Sequence, residues 1–496
     1  MTNESTEFYG HLIDGKETEA QDGRRFPSVD PWRRTAWAEA AEGGREDADR
    51  AVAAARQAFD TGEWPRMGHT ARGRILHRLA DLVERNAGEL AAADSRDMGR
   101  PVAQARAKDV PRAAANFRFF ADHARLTAAE QLPADNGTHV YTRYEPAGVV
   151  AAIAPWNLPL MLESWKVAPA LAHGNTVVLK PAEQSPASAT VLARLALEAG
   201  VPPGVFNVLH GHGPAAAGEF LVSHPGVDRI TFTGESATGR AIARAAADHL
   251  TPLSLELGGK AANLVFADCD LDRAVSWSVA AAYTNAGQVC LAGSRIYVER
   301  AVYDAFLERF TAAADALRFG DPAEAGTDIG PLASAEHHAK VRGFLDRLDG
   351  GPQGRLLTGG LDPRDPRVVR PAVVVDAAAE AAVLQQEIFG PVAVVTPFDT
   401  EQQAVAQANA TPYGLNAMVF TEDLRRAHRT AAALRGGTVW VNCYFVRDLR
   451  APFGGVGASG IGREGGVHSR EFFTEPKAVV MDIAGTLGPE ATGAAR

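Results

Sequence analysis

Apolar positions along the chain follow a helical period at first and a strand-like one later, with the change near Gly148. Before it, Glu46 to Phe59 carries alanines and Val52 at helical spacing, and Thr70 to Ala93 reads as one long amphipathic helix. Asp109 to Ala124 is a third helix, with Pro111 in its first turn, where a missing N–H costs little. His11 to Lys16 and Phe26 to Pro31 read as short strands, and the alternating Thr138 to Tyr144 as an exposed one. From Gly148 the apolar runs become continuous: Gly148 to Ala154, Thr176 to Leu179, Gly204 to Leu209 and Arg229 to Thr233. Such runs suit strands covered on both faces, and the spacing predicts helices over Leu160–Ala172, Ala187–Ala199 and Gly239–Leu250 between or after them. The fold class is therefore α/β, with a doubly wound parallel sheet in this part.

A second α/β series follows Glu256. Strands are expected at Asn263–Phe266, Arg295–Val298, Val392–Phe398, Ala417–Phe420 and Thr438–Asn442. Helices are expected at Ala274–Asn285, Tyr303–Leu317, Gln402–Ala410 and Leu424–Leu434. The stretches 320–331 and 350–371 are rich in Gly, Pro and Asp and read as surface loops. Phe453 to Gly466 is dense in glycine, which suits either backbone packed closely around something or a mobile linker. Lys477 to Ile483 closes the pattern as a strand, and the residues beyond Gly485 read as a flexible tail.

Composition narrows the class of function. The 496 residues suffice for two or three domains, and 46% hydrophobic with 22% charged residues is ordinary for a globular protein. A formal net charge of −10 disfavours nucleic acid and anionic membrane as partners. Three widely spaced cysteines, Cys269, Cys290 and Cys443, fit a reducing cytoplasm and no disulfide framework. The polar start, Met1 to Glu7, does not read as a signal peptide, and no apolar run nears the roughly 20 residues of a membrane helix.

Two segments carry candidate chemistry. In Gly287-Gln288-Val289-Cys290 a cysteine lies among small and polar residues, with no second cysteine at metal-ligand spacing, so no metal is expected. In Leu255-Glu256-Leu257-Gly258-Gly259-Lys260 a glutamate precedes two glycines that permit a sharp turn. Taken alone, they read first as an inert buried thiol and a surface carboxylate, and only second as a nucleophile and a base. Together with Pro155-Trp156-Asn157, Lys180-Pro181-Ala182-Glu183 and Glu387-Ile388-Phe389-Gly390-Pro391, in this order, they resemble the NAD(P)-dependent aldehyde dehydrogenase superfamily, from about Leu12 to Lys477.

The resemblance implies a Rossmann-type cofactor domain over 1–123 and 147–257, a catalytic domain over 258–466, and β strands for oligomerisation in 124–146 and 467–487, with a flexible tail at 488–496. A homo-oligomer, dimer or tetramer, follows from it. It also implies roles. Cys290 attacks the aldehyde carbon, Asn157 and the Cys290 backbone N–H hold the oxyanion, and Glu256 activates water against the acyl-enzyme. A carboxylate buried there is expected to have a raised pKa. Lys166 and Glu464 fall where similar proteins keep a proton relay. NAD is the implied cofactor, with Ile153, Pro155, Trp156, Lys180, Glu183, Gly213, Gly218, Phe232, Thr233, Gly234, Ser236, Leu257, Glu387 and Phe389 around it. Glu183 accepts hydrogen bonds from a free ribose 2′-OH and repels a 2′-phosphate, which favours NAD over NADP. The sequence departs from the common pattern at Glu235, where a serine usually follows Gly234, so that Ser236 is expected to supply the hydroxyl.

For the substrate, Val439 to Gly466 is most similar to the 2-hydroxymuconic and 2-aminomuconic semialdehyde dehydrogenases, whose substrates carry a remote carboxylate. Arg112 and Arg447 are placed to hold that group in bidentate fashion, with Arg450 as a third candidate. The competing reading pairs Arg112 with Asp109 and Arg447 with Asp448. Trp165, Tyr444 and Phe453 are expected to line the substrate pocket, Trp165 and Tyr444 as flat walls or as core. Other substrates (a broad aliphatic or aromatic, betaine-aldehyde or ω-carboxy aldehyde) and a catalytically silent homologue are the alternatives.

Overall fold

A computed structural model of the chain describes residues 7–134, 137–348, 350–365 and 367–485, so the tail expected at 488–496 lies outside the described residues. The continuous apolar runs form strands whose core positions, such as Val149, Val150 and Ala151, are fully buried. Five of them lie parallel in the order Phe206–Val208, Thr176–Lys180, Val149–Ile153, Arg229–Thr233 and Leu253–Glu256. The winding reverses between Val149–Ile153 and Arg229–Thr233, and ligands bind open α/β sheets at such a reversal, beyond the carboxyl ends of the strands. Pro155 to Asn157 and Gly234 leave the two strands at that point. Antiparallel strands complete eight: His11–Ile13 and Lys16–Thr18 on one edge, Gly460–Ile461 on the other. The last comes from within the expected catalytic domain. It pairs with the strand that ends in Glu256, and the Leu257 N–H donates to Ser459 O at 3.0 Å.

A second sheet of seven strands runs Arg355–Leu361, Val369–Val375, Val392–Phe398, Arg295–Glu299, Ala262–Val265, Asn416–Phe420 and Thr438–Val441, parallel except for the first pair. Arg355–Leu361 corrects the reading of 350–371 as a loop. Its Gly359 and Gly360 have φ of 76° and 83° and sit at shifts in the hairpin register, so a bulged strand carries a loop's composition.

Two helices also differ from expectation. The expected Thr70–Ala93 helix is two, His69–Arg85 and Ala87–Met98, broken at Asn86, whose side chain donates to Leu82 O at 2.8 Å and competes with the ladder. Ala335–Leu345, inside no predicted element, starts at Ser334, whose hydroxyl accepts from the His337 N–H. A small sheet joins Glu7–Tyr9, Thr35–Ala41 and Arg25–Asp30.

The strand Thr138–Pro146 is half-buried, not exposed. It pairs along nine residues with Thr474–Asp482 and on its other side with Gln131–Leu132. The open edge is the C-terminal strand, where Val480 and Met481 are exposed. Among the described residues no helix is long and apolar enough to cross a membrane.

Candidate active site

Cys290 leaves a turn in which Asn285, Ala286 and Gly287 are all left-handed, with φ of 54°, 56° and 71°. For non-glycine residues this geometry costs roughly 1–2 kcal/mol each, so the surroundings must impose it. They do so through hydrogen bonds. Asn285 Nδ2 donates to Asn157 O at 2.8 Å, Gln288 Nε2 to Asn285 O at 3.1 Å, and the Ala333 N–H to Gln288 Oε1 at 2.9 Å. Asn157 Nδ2 donates to Gln288 O at 2.8 Å, which fixes the amide and leaves its second hydrogen for a ligand. Gly259 is required from the other side, because a Cβ there would collide with the Cys290 carbonyl.

Two cavities meet at Cys290, Asn157 and Thr233. One, of about 230 Å³, opens at the reversal of the first sheet, and the other holds about 330 Å³. The thiol is half-buried between them, and burial, with Glu387 and Glu256 adding, pushes it up to about 12. Glu256 is buried with neither carboxylate oxygen hydrogen-bonded. Burial first, then the Glu464 charge, holds its pKa well above the usual carboxylate range. Gly454 packs against it closely, since a Cβ there would come within 2.7 Å of Glu256 Oε1. The glycine-dense stretch is thus an ordered clamp: Phe453 and Glu464 exchange backbone hydrogen bonds, and Arg463 Nη1 donates to Gly455 O and Gly462 O.

Lys166 and Glu464 are brought together in a network wider than the two residues. Lys166 Nζ donates to Glu464 Oε1 at 3.2 Å and to Thr231 Oγ1 at 2.9 Å, and the Thr231 and Ser254 hydroxyls both donate to Glu464 Oε1 at 3.2 Å. Trp165 Nε1 donates to Glu464 Oε2. Thr231 and Ser254 were not anticipated: a hydroxyl on a buried strand carries no sequence signal of its partner.

Of the cofactor candidates, Pro155, Trp156, Thr233, Gly234, Leu257, Glu387 and Phe389 line the first cavity. Trp156 packs edge-on to Phe389, with ring centroids 5.3 Å apart. His337 completes this wall, 5.0 Å from Trp156 and bonded to Phe389 O. It was missed because its helix was missed. Glu387 accepts from the Gly259 N–H at 2.9 Å, and burial raises its pKa to about 7. Ile153, Lys180, Glu183, Gly213, Gly218, Phe232 and Ser236 do not line the cavity. Lys180 ends its strand and lies 3.7 Å from Glu183, just beyond it. Gly218 packs on Gly213 so that a Cβ would approach its Cα at 2.9 Å. Ile153 and Phe232 are buried in the core. Ser236 donates its hydroxyl hydrogen to Ala458 O at 2.8 Å, so here it fastens a helix to a loop. Glu235 is exposed and lines the first cavity, where it pairs at 3.3 Å with Lys340 of the same wall, which offsets its charge.

Arg112, Arg447, Trp165, Tyr444 and Phe453 all line the second cavity with Glu256 and Glu464. The carboxylates expected to neutralise the arginines are occupied elsewhere. Asp109 is bonded side-on by the buried Arg100, and Asp448 by Arg450 at 2.6 Å. Arg450 is thereby exposed and outside the cavity, which removes it as a third contact. No carboxylate is bonded to Arg112 or Arg447 among the described residues. Arg447 lies over Phe453 at 3.7 Å and near Trp165 at 5.0 Å, and burial, then Arg112, lowers it to about 10.

A half-buried thiol, a fixed amide donor and a buried carboxylate where two cavities meet suit covalent chemistry on a small electrophile. The profile of the aldehyde dehydrogenase family matches residues 18–479. The chain belongs to the aldehyde dehydrogenase family, as an oxidoreductase acting on aldehydes. It is 46% identical over 484 residues to 2-hydroxymuconic semialdehyde dehydrogenase of Pseudomonas sp. (strain CF600), covering 95% of this chain and 99% of that one. It is 44% identical over 487 residues to 2-aminomuconic 6-semialdehyde dehydrogenase of Pseudomonas sp., covering 96% and 98%. Its fold is similar to that of betaine aldehyde dehydrogenase from Staphylococcus aureus in complex with NAD+, with a TM-score of 0.93, 35% identity and coverage of 96% and 95%.

Proposed function

We propose that this enzyme oxidises a carboxylate-bearing semialdehyde, of the 2-hydroxymuconic or 2-aminomuconic type, to the dicarboxylic acid. NAD is its hydride acceptor. The residues at the sheet reversal fit that cofactor: the Ser236–Ala247 helix presents its N-terminus beside Gly234, glycines at 213 and 218 lie close together, and Trp156, His337 and Phe389 form a flat wall. When bound it accepts the hydride.

The chain's own groups do the rest. Cys290, deprotonated, attacks the aldehyde carbon, and the oxygen becomes an oxyanion held by the free Asn157 amide hydrogen and the Cys290 backbone N–H. Loss of hydride leaves a thioester on Cys290. Glu256 takes a proton from water, the hydroxide expels the thiolate, and the carboxylic acid departs. Lys166, Thr231, Ser254 and Glu464 form a continuous polar path beside Glu256 through which its proton is passed on. We place the Thr138–Pro146 and Thr474–Asp482 strands in subunit contact, in a homo-oligomer, the units over 1–123 with 147–257 and over 258–466 as cofactor and catalytic domains, and the protein in the cytoplasm.

The observation that carries the substrate assignment is the pair of cations, Arg112 and Arg447, in the pocket with no carboxylate bonded to either among the described residues. A bound carboxylate supplies the missing charge. Losing one charge-assisted contact lowers kcat/KM by roughly ten- to a hundredfold. The test is Arg447→Ala and Arg112→Ala, assayed by NADH absorbance on 2-hydroxymuconic semialdehyde and on an uncharged aldehyde of similar length. Only the first substrate suffers on this reading. Equal losses on both mean that the arginines hold the loop, and the carboxylate reading falls.

A further inference from the structure

The Cys290 thiol has a difficulty: burial and two nearby carboxyl groups disfavour its ionised form, and Arg447 is the one side chain near it that favours it. The wall of the second cavity holds a neutral group suited to help. Tyr444 is buried, lines the cavity with Cys290, and has a hydroxyl with no hydrogen-bond partner. Its backbone is strained so as to place it there. Asn442 and Phe445, on either side of Cys443-Tyr444, are left-handed with φ of 53° and 57°. The strain is held in place at both ends. Asn442 exchanges side-chain hydrogen bonds with the Thr421 backbone at 3.1 and 2.9 Å, and Trp440 Nε1 donates to Val446 O at 2.8 Å. A strained, pinned turn thus holds a phenol with an unpartnered hydroxyl in the wall of the reaction cavity.

We propose that the Tyr444 hydroxyl donates a hydrogen bond to the Cys290 sulfur when it is ionised, stabilising the thiolate for attack. This rests on Cys290 as the nucleophile and goes beyond a packing role for the tyrosine. The thiolate is the acceptor that fits, because the two groups share the cavity wall and the charge of ionised Cys290 bears on the phenol. Phenol and sulfur exchange no proton: the thiol proton leaves for a base, and the O–H stays on Tyr444.

The experiment uses the full-length protein without substrate. The rate of alkylation of Cys290 by iodoacetamide is followed against pH by peptide mass, in wild type and Tyr444→Phe, with Cys290→Ala as control. Phenylalanine keeps the ring against Trp440 and removes the donor. The midpoint of the alkylation profile rises by about one pH unit, a tenfold fall in thiolate at fixed pH. The acylation burst at pH 7 slows accordingly. Should Tyr444→Phe fail to fold, 4-fluorophenylalanine at position 444, which fills the space of the hydroxyl without a donor, raises the midpoint in the same way. An unchanged midpoint in either protein overturns the proposal, even where turnover falls, since the hydroxyl then serves the substrate. Activity surviving in Cys290→Ala instead overturns the nucleophile itself, whatever Tyr444 does.

Discussion

Glu256 lies with both carboxylate oxygens buried and unpaired, and its raised pKa keeps it protonated where surface carboxylates are ionised. On its proposed role as the base, which acts in the ionised form, thioester hydrolysis should rise with pH along a limb above the usual carboxylate range. Glu256→Gln should flatten that limb and, in rapid mixing, give one burst of NADH followed by a stalled acyl-enzyme. A slow first hydride transfer in this variant would place Glu256 earlier in the reaction. The same physics reaches groups outside the site. Asp94 is fully enclosed, and burial, with Asp109, Asp97 and neighbouring groups, raises it from 3.8 to about 8. The folded state then retains a proton that the unfolded chain has lost, so stability is greatest below 3.8 and declines as pH rises to about 8. Asp94→Asn should therefore raise the thermal midpoint at pH 8 and change it little at pH 4. Cys290, Glu256 and Asn157 were legible because their motifs occur in order. The fate of Arg112 and Arg447 was not, since choosing between Asp109 and solvent requires knowing that Arg100 already occupies that carboxylate.

At the scale of elements, the strands that carry the site were readable from their continuous apolar runs, and the turns between them were not. Periodicity placed Ala274–Asn285 as helix, whereas the helix ends at Tyr283 and the chain turns left-handed at Asn285 and Ala286, where neither residue favours it. A tertiary hydrogen bond to Asn157 O, with a local one to Gln288 O, decides the matter. The turn that leads to Cys290 is also wedged against the Gly258-Gly259-Lys260 segment. Gly259→Ala should push the Cys290 carbonyl and lower kcat by on the order of a hundredfold, in keeping with misplacement by about 1 Å. Cofactor binding by titration and the far-ultraviolet spectrum should stay as in wild type. If kcat is retained, the loop yields and its position is not critical. The helix Ala335–Leu345 escaped detection because its buried positions include His337, a polar residue that breaks the apolar stripe.

For the whole molecule, the long open edge is the C-terminal strand, with Val480 and Met481 exposed beside Thr138–Pro146. Exposed apolar edge strands are normally covered. In the proposed homo-oligomer, Val480→Lys with Met481→Glu should yield monomers in light scattering; unchanged mass would put the contact elsewhere. The two-sheet architecture followed from sequence pattern, but the crossing of Gly460–Ile461 into the first sheet did not, because two residues carry no period. That crossing has a consequence for biogenesis. Glu256 is pinned by Gly460, packed by Gly454 and neighboured by Glu464, all about two hundred residues further along. On the role proposed for Glu256, the base stays unhoused until nearly the entire polypeptide has emerged, however early the first sheet winds on the ribosome. Half-made chains therefore cannot run the full reaction, and competence arrives as a single late event.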